Sequence, residues 1–544
     1  MAQAYAQMAG KVRASKSTAL TSQSAPIPGR EVEQVVNAAG GYSFKADNWA
    51  RLDRFLILGV TGNSIYEKQA DMVKSNAGLI DVLLKEDGVR VVNQIADVLT
   101  NSRSLKVDAP LFALAMAAAS ADEATRARAM AVLFEVVRTP TQLFTFVNYA
   151  NSMRGWGRAL RRGVARYYLD TAMPKLAMHA WKYKSRDGWS HRDVLRLAHA
   201  KTDDAARNAV LAYMTHGKVP TATDDRALAQ IAAAEELLHT KDVKKAVNLI
   251  RDHRLTREAV PTELLNDKAI WEALLEDMPV NALVRNLGKM SSIGMVGQMS
   301  ATERKIVEVL GNQDQITRSH IHPMAIYIAL KTYEQGKGFK GSLTWNVNRA
   351  VADALDSAFY LAFGNVEKTG KRILLAIDDS GSMRGGWGGG SLMDGLMSPN
   401  EAASAMALVT YMVEPSSMLI GYSDRYRAID LSRKSTIKQL IGKIASVGAG
   451  TDTSLPVKFA ADQKMDFDAI VSFTDNNTWS GYGHVTEHLR NYQNKIGHPV
   501  RFLNAAMEAN GSTDVDPTNP NMLELSGMSA NTPQIISEFI AGRV

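Results

Sequence analysis

The stretch Ile373-Leu374-Leu375-Ala376-Ile377-Asp378-Asp379-Ser380-Gly381-Ser382-Met383 decides the fold of the C-terminal third of this 544-residue chain. The apolar run 373–377 predicts a buried parallel strand. It stops at a carboxylate, and two hydroxyls follow at alternate positions, giving Asp378, Ser380 and Ser382. Gly381 is expected to let the turn fold tightly enough for the three oxygens to converge. Hard oxygen donors at the carboxyl end of a parallel strand suit a divalent cation such as Mg²⁺. A polar, Ser-rich turn after a strand is the plain alternative.

The following segments favour the cation. Gly448-Ala449-Gly450-Thr451-Asp452 is a Gly-rich loop carrying a hydroxyl, with a helical pattern from Leu455. Ala469 to Phe473 predicts a second buried strand, closed by Thr474 and Asp475. Further strands are predicted at 417–421 and 500–505, and helices at 401–413, 432–445 and 484–496. Strands alternating with helices imply a doubly wound α/β sheet whose strand ends form a ligand crevice. Asp378, Ser380, Ser382, Thr451 and Asp475 then stand on three loops in an order that resembles the metal-ion-dependent adhesion site of von Willebrand factor A domains. The hydroxyls are expected to bind the metal directly, and the carboxylates directly or through water.

At this length more than one core is expected, and the chain divides into residues 1–40, 41–370 and 371–544. Cysteine is absent, so disulfides are excluded. No apolar run is long enough to span a bilayer, and the N-terminus lacks a secretory apolar core. A cytoplasmic protein with no membrane partner is expected. Residues 1–40, rich in Ala, Ser and Gln, are expected to form a flexible arm. Charge is unevenly shared: residues 371–544 carry 15 Lys+Arg against 18 Asp+Glu, leaving 48 against 38 for residues 1–370. The larger, basic part is the candidate for a polyanionic partner.

That part reads as helix after helix. Asp108 is expected to cap a helix with Pro110 in its first turn, and Leu111 to Ala119 with Glu123 to Val137 predict an antiparallel pair. The succession suits an α-solenoid of degenerate HEAT type, with a compact bundle as the alternative. Its most suggestive segment runs from Lys182 to Lys201. Lys182, Lys184 and Arg186 precede a helix opened by Ser190 and Asp193, on which Arg192, Arg196 and His199 are expected to share one face. Val194, Leu197 and Ala198 are expected on the buried side. Such a face can hold phosphates by charge-assisted bonds, although an ordinary solvated helix gives the same pattern. His191, in the first turn, is expected to satisfy local backbone or to face water.

Longer strings carry a more specific signal, among them Arg51-Leu52-Asp53-Arg54-Phe55-Leu56, Gly155-Trp156-Gly157-Arg158-Ala159-Leu160-Arg161, Gly188-Trp189-Ser190-His191 and Leu287-Gly288-Lys289-Met290. With them the chain resembles the Ro autoantigen family, from about Gly41 to the C-terminus, in a bacterial or phage form. The resemblance implies an all-α ring of HEAT-like repeats (the TROVE module) closed by an α/β A domain. It further implies small noncoding Y RNA on a basic outer rim, with Lys182, Arg186 and His199 at the family's rim positions. Single-stranded 3′ ends of misfolded RNA would enter the ring channel, and a Y RNA could tether polynucleotide phosphorylase. Arg158, Arg161 and Lys289 are candidates for the channel wall. The Gly-rich run 384–390, with Trp387, departs from what is expected of animal relatives.

Three function classes follow: an RNA-binding quality-control or scaffold protein, a protein-adhesion module in which a partner's acidic side chain completes the metal shell, and a metal-dependent hydrolase. The hydrolase is weakest, because the motif sets no evident general base beside the metal. Asp379 and His484 are its only candidates.

Overall fold

The computed structural model describes residues 20–36, 40–45, 48–58, 69–101, 104, 107–221, 225–338, 342–384, 396–444, 450–475, 478, 480–507, 512–516, 519, 521–526 and 532–542. After a short hairpin of β1 (Gln34–Val36) and β2 (Tyr42–Lys45) the chain enters a helical array. The array begins with α1 (Asn48–Leu58), α2 (Gln69–Thr100, broken at Asp87), α3 (Asp108–Ala119), α4 (Glu123–Val136), α5 (Pro140–Met153), α6 (Arg158–Asp170) and α7 (Met173–Lys182). A two-stranded hairpin, β3 (Ser185–Arg186) and β4 (Trp189–Ser190), leads into α8 (His191–Ala198). There follow α9 (Ala205–His216), α10 (Arg226–His239), α11 (Val243–His253), α12 (Lys268–Glu276), α13 (Val280–Ser292), α14 (Ala301–Gly311), α15 (Gln313–Ser319), α16 (Pro323–Glu334) and α17 (Arg349–Leu361).

Helices pack mainly on helices one to three places along the chain, α3 on α5, α2 on α4, α7 on α10 and α16 on α17. This is the pattern of stacked repeats rather than of one bundle. Polar side chains open many of these helices. Asp122, Asp204, Asp225 and Asp242 each accept first-turn N–H groups, and Thr139 with Gln142 forms a full capping box. Asp108 does not cap: it is already helical, and Val107 holds the N-cap position without a side-chain bond.

The C-terminal domain is built on a six-stranded sheet of order β11-β9-β8-β5-β6-β7. Its strands are β5 (Ile373–Asp378), β6 (Ser417–Tyr422), β7 (Tyr426–Ala428), β8 (Ala469–Thr474), β9 (Arg501–Ala506) and β11 (Met522–Ser526), all parallel except the β7 edge. Helices α18 (Pro399–Val413), α19 (Ile437–Lys443), α20 (Leu455–Asp462), α21 (Val485–Ile496) and α22 (Thr532–Ala541) complete it. Central β5 is buried along its whole length. Alternate residues of β5 face opposite cores: Leu374 and Ala376 pack with Ile420, Phe502 and Tyr492, whereas Ile373, Leu375 and Ile377 belong to an apolar cluster continuous with the helical array.

Both ends of the array reach this domain. At the start, β2 pairs antiparallel with β10 (Ser512–Thr513), the Ser43 hydroxyl donates to Asp514 at 2.9 Å, and α1 packs near β11. At the end, Tyr327 donates to Glu401 at 2.7 Å, Lys331 pairs with Glu401 at 2.9 Å, and the Ile437 N–H donates to the Tyr360 hydroxyl at 3.1 Å. Array and α/β domain thus form a closed circuit of contacts.

The expected flexible arm needs correction over residues 20–36. Gln23 is buried against the C-terminal domain, and Arg30 bonds Glu33 and Asp516 while its guanidinium lies over Phe44. A polar composition predicted no core for this stretch, but the C-terminal domain supplies one. Residues 1–19 lie outside the described residues, as do most of the loop 384–390, including Trp387, and Gly448 and Ala449. Among the described residues, no helix is long and apolar enough to cross a membrane.

Candidate metal centre and basic surface

The sheet brings four of the five oxygen donors to one edge. Asp378 ends β5, in register with Tyr422 on β6, and Asp475 follows β8 on the other side. The Asp378 carboxylate accepts the Ser380 N–H at 2.8 Å and the Thr474 hydroxyl at 2.7 Å, while the Ser380 and Ser382 hydroxyls lie 3.2 Å apart. Burial, and then the charge of Asp475, push the Asp378 carboxyl well above the usual carboxylate range. A divalent cation would relieve that cost by pairing with both acids. The donor set, hydroxyls and carboxylates only, fits a hard cation.

Thr451 is carried to the same edge by a neighbouring bond. The Asp452 N–H donates to the Ser423 carbonyl at 2.8 Å, just beyond β6. Among the described residues no hydrogen bond joins the Thr451 hydroxyl to the other four donors. Gly381 does not act as expected. Its φ is not positive and an added Cβ would meet nothing within 4 Å, so the turn does not depend on glycine there. Gly481 does need to be glycine: at φ +96, its Cβ would fall 2.1 Å from an Asp452 oxygen.

Neither base candidate is at liberty. Asp379 is held by Arg427 at 3.3 Å, and the His484 Nε2–H donates to the Ala25 carbonyl at 2.9 Å. Sequence reasoning missed Gln23. Its amide donates to Asp452, 429 residues away, at 2.9 Å, and its carbonyl accepts from Thr478. No local pattern signals a bond across that separation.

The basic surface is partly as expected. Asp187 and Gly188, at φ 53 and 80, form a two-residue turn that holds Arg186 out on the β3–β4 hairpin. The hairpin is fixed to α5 by a Thr145 to Asp187 bond of 2.8 Å and by Trp189 to Asn148 at 3.3 Å. The three cations leading into it or on it each face an acid already: Lys182, at the end of α7, with Glu258 at 3.5 Å, Lys184 with Glu235 at 3.6 Å, and Arg186 with Asp187 at 3.3 Å. Arg192, Arg196 and His199 are exposed and form no ion pair among the described residues.

Three expectations change here. Ser190 and Asp193 form the full capping box, but α8 stops at Ala198 and His199 is its left-handed C-cap at φ 54, off the helical face. Leu195 is buried with Val194 and Ala198, whereas Leu197 is half-buried. His191 is a core residue. Its Nδ1 accepts from the Tyr168 hydroxyl at 3.0 Å, its Nε2–H donates to the His179 carbonyl at 3.2 Å, and burial lowers its pKa to about 4. The wall candidates lie on two helices, α6 and α13. Arg158 and Arg161 are exposed on α6, and Lys289 donates to Asn266 at 2.8 Å.

A HEAT-like helical array closed on an A-type α/β domain defines the class: a TROVE-plus-A-domain protein. The TROVE domain family matches residues 35–331, and the Ro60 vWA domain family matches residues 372–540. The RNA-binding protein RO60 of Deinococcus radiodurans is 37% identical over 514 residues, covering 94% of this chain and 96% of that protein. The RNA-binding protein RO60 of Caenorhabditis elegans is 31% identical over 590 residues, covering 94% and 90%. The crystal structure of the Deinococcus radiodurans RO (RSR) protein superposes with a TM-score of 0.76 at 36% identity, over 92% of this chain and all of that one. The chain belongs to the Ro60 family. Both relatives carry the names of binding proteins, not of enzymes.

Proposed function

We propose that this protein binds noncoding RNA without chemically altering it. Structured small RNA of the Y RNA type sits on the basic surface of the β3–β4 hairpin and α8, and single-stranded 3′ ends of misfolded RNA enter the ring. The observation that carries the reading is the exposed set Arg192, Arg196 and His199 beside a hairpin that presents Lys184 and Arg186. The two exposed guanidiniums of α8, with the imidazole at its C-cap, suit phosphate oxygens. The acids beside Lys182, Lys184 and Arg186 hold those side chains in place until phosphates replace them. A scaffold role, in which the RNA tethers polynucleotide phosphorylase, follows from the same surface.

Replacing Lys182, Arg186 and His199 together tests the reading. The triple variant is expected to keep its fold by circular dichroism and to bind a structured small RNA from its host more weakly. Its salt dependence should be shallower by about two to three units in log–log slope. Unchanged affinity and slope would remove the assignment.

The strand-end cluster supports a second, compatible role. Ser380, Ser382 and Thr451, with Asp378 and Asp475, would hold Mg²⁺, and the metal's open position would accept an acidic side chain of a partner protein. The buried, adjacent carboxyls of Asp378 and Asp475 favour this reading.

A further inference from the structure

A cavity of about 570 Å³ opens between α3, α4, the turn 154–157 and α6. Its lining holds five arginines, Arg126, Arg154, Arg158, Arg162 and Arg166, with no lysine and a single acid, Glu123. Its remaining surface is small and apolar, made by alanines of α3 and α4 with Met130, Leu160 and Gly163. The volume lies in the usual range for a small-ligand site, about 300–1,000 Å³.

The five guanidiniums are not equivalent. Arg126 donates to the Ser120 carbonyl at 2.9 Å and Arg154 reaches the same oxygen at 3.5 Å. Arg166 pairs with Asp170 at 3.2 Å and lies over the Phe134 ring. Arg158 and Arg162, one turn apart on α6, make no side-chain hydrogen bond or ion pair among the described residues. A concave site with this excess of positive charge attracts an anion. Two uncommitted guanidiniums at i and i+4 can grip one phosphate from two sides. The apolar floor suits the flat face of a base, and arginine planes stack on bases where lysine cannot.

We infer that this cavity takes one nucleotide extruded from single-stranded RNA, its phosphate held by Arg158 and Arg162 and its base laid on the alanine floor. The inference rests on the RNA-binding reading but concerns a surface distinct from the hairpin and α8. It gives Arg158 a specific role and leaves Arg161, which does not line the cavity, outside it.

The test uses the full chain, a fluorescein-labelled short oligoadenylate, and a stem-loop RNA without a single-stranded tail. Arg158→Gln with Arg162→Gln should weaken oligoadenylate binding and reduce its salt slope by about 0.7, the value for one single-strand phosphate. Stem-loop binding should not change. Ala127→Leu removes no charge and fills the lip of the cavity from the exposed side of α4. It should weaken oligoadenylate binding several-fold at an unchanged salt slope, and Ala131→Leu serves if that variant folds poorly. Loss of both RNAs to the same degree in the arginine variant, or full oligoadenylate affinity in the filled cavity, would overturn the nucleotide pocket while leaving RNA binding intact. Failure of the wild type to bind either RNA would overturn both.

Discussion

Two histidines in the array are set by burial to act as structural, not charged, residues. His191 bonds Tyr168 and the His179 carbonyl, His179 bonds Tyr167 at 3.0 Å, and both pKa values are lowered to about 4. The unfolded chain protonates its histidines near pH 6.5. Between pH 6.5 and 4 it therefore holds more protons than the folded state, and stability falls as the pH drops through that window. For His191 the loss is on the order of 3 kcal/mol once pH 4 is reached. His191→Gln keeps a donor for the carbonyl but cannot titrate, so its denaturation midpoint should depend less on pH than that of the wild type. Parallel pH profiles for the two would contradict this. At the strand ends the corresponding residue is Asp378. Millimolar Mg²⁺ should raise the melting temperature of the wild type and not that of Asp378→Ala; no shift in either would remove the metal site. The spacing Asp378, Ser380, Ser382 was legible in the sequence because the three lie within one turn. Their convergence with Asp475 needed only the strand order. The core position of His191 was not legible, since its partners come from α6 and α7 and no local pattern reports them.

At the scale of elements, short-range chemistry explains what could be read. The capping box at Ser190 and Asp193 opens α8, and Asp187-Gly188 supplies the two positive φ values of a tight hairpin turn. Four parallel strands of the A-type domain were marked by their apolar runs. Strand β7 and strand β11 were not, because β7 has three residues and β11 alternates Leu523, Glu524 and Leu525 at the opposite edge. The end of α8 shows the limit of helical periodicity. His199 fits i+7 from Arg192, yet the helix closes one residue earlier with His199 in the left-handed region. Packing between elements was hidden in the same way. Gly288 in the middle of α13 reads as a helix-weakening residue, but its Cβ would fall 2.7 Å from the ring of Trp345, whose Nε1–H donates to the Tyr333 carbonyl at 3.0 Å. Gly288→Ala gains about 1 kcal/mol of helix propensity and costs about 1–3 kcal/mol of overpacking against a ring fixed at both face and edge. The variant should melt at a lower temperature than the wild type; a higher melting temperature would show that Trp345 gives way freely.

The whole molecule is a chain of helices whose two ends meet on one domain, and the closure is noncovalent. The first end is held by the β2–β10 pairing, by Ser43 with Asp514, and by the strap in which Gln23 and Arg30 engage Asp452 and Asp516. The second end is held by Glu401 between Tyr327 and Lys331, with an apolar core that runs from the array through α18 into the sheet. These two junctions differ in kind. The second is built from whole helices, α16 and α17 against α18 and α19, and should open last, because apolar burial is the larger stabilising term. The first adds polar bonds and a short strand pairing to the packing of α1 near β11, and its two-residue strand β10 is the weakest element, so hydrogen exchange should be faster at the backbone amides of β2 and β10 than in α16 and α17. Under the proposed function, a ring closed in this way would admit a single strand by its end, without breaking either junction. An RNA with a free single-stranded 3′ tail should therefore bind more tightly than the same body trimmed to a blunt end. The sharper comparison is with the tailed sequence closed into a circle, which offers no end to insert. Phosphate contacts are equal in number for the two forms, so simple electrostatics predicts equal affinity at equal salt. Threading predicts that the linear form binds more tightly. Equal binding of circle and tail at physiological salt would mean that the strand never passes through the ring, and the outer surface of β3, β4 and α8 would then carry the RNA alone.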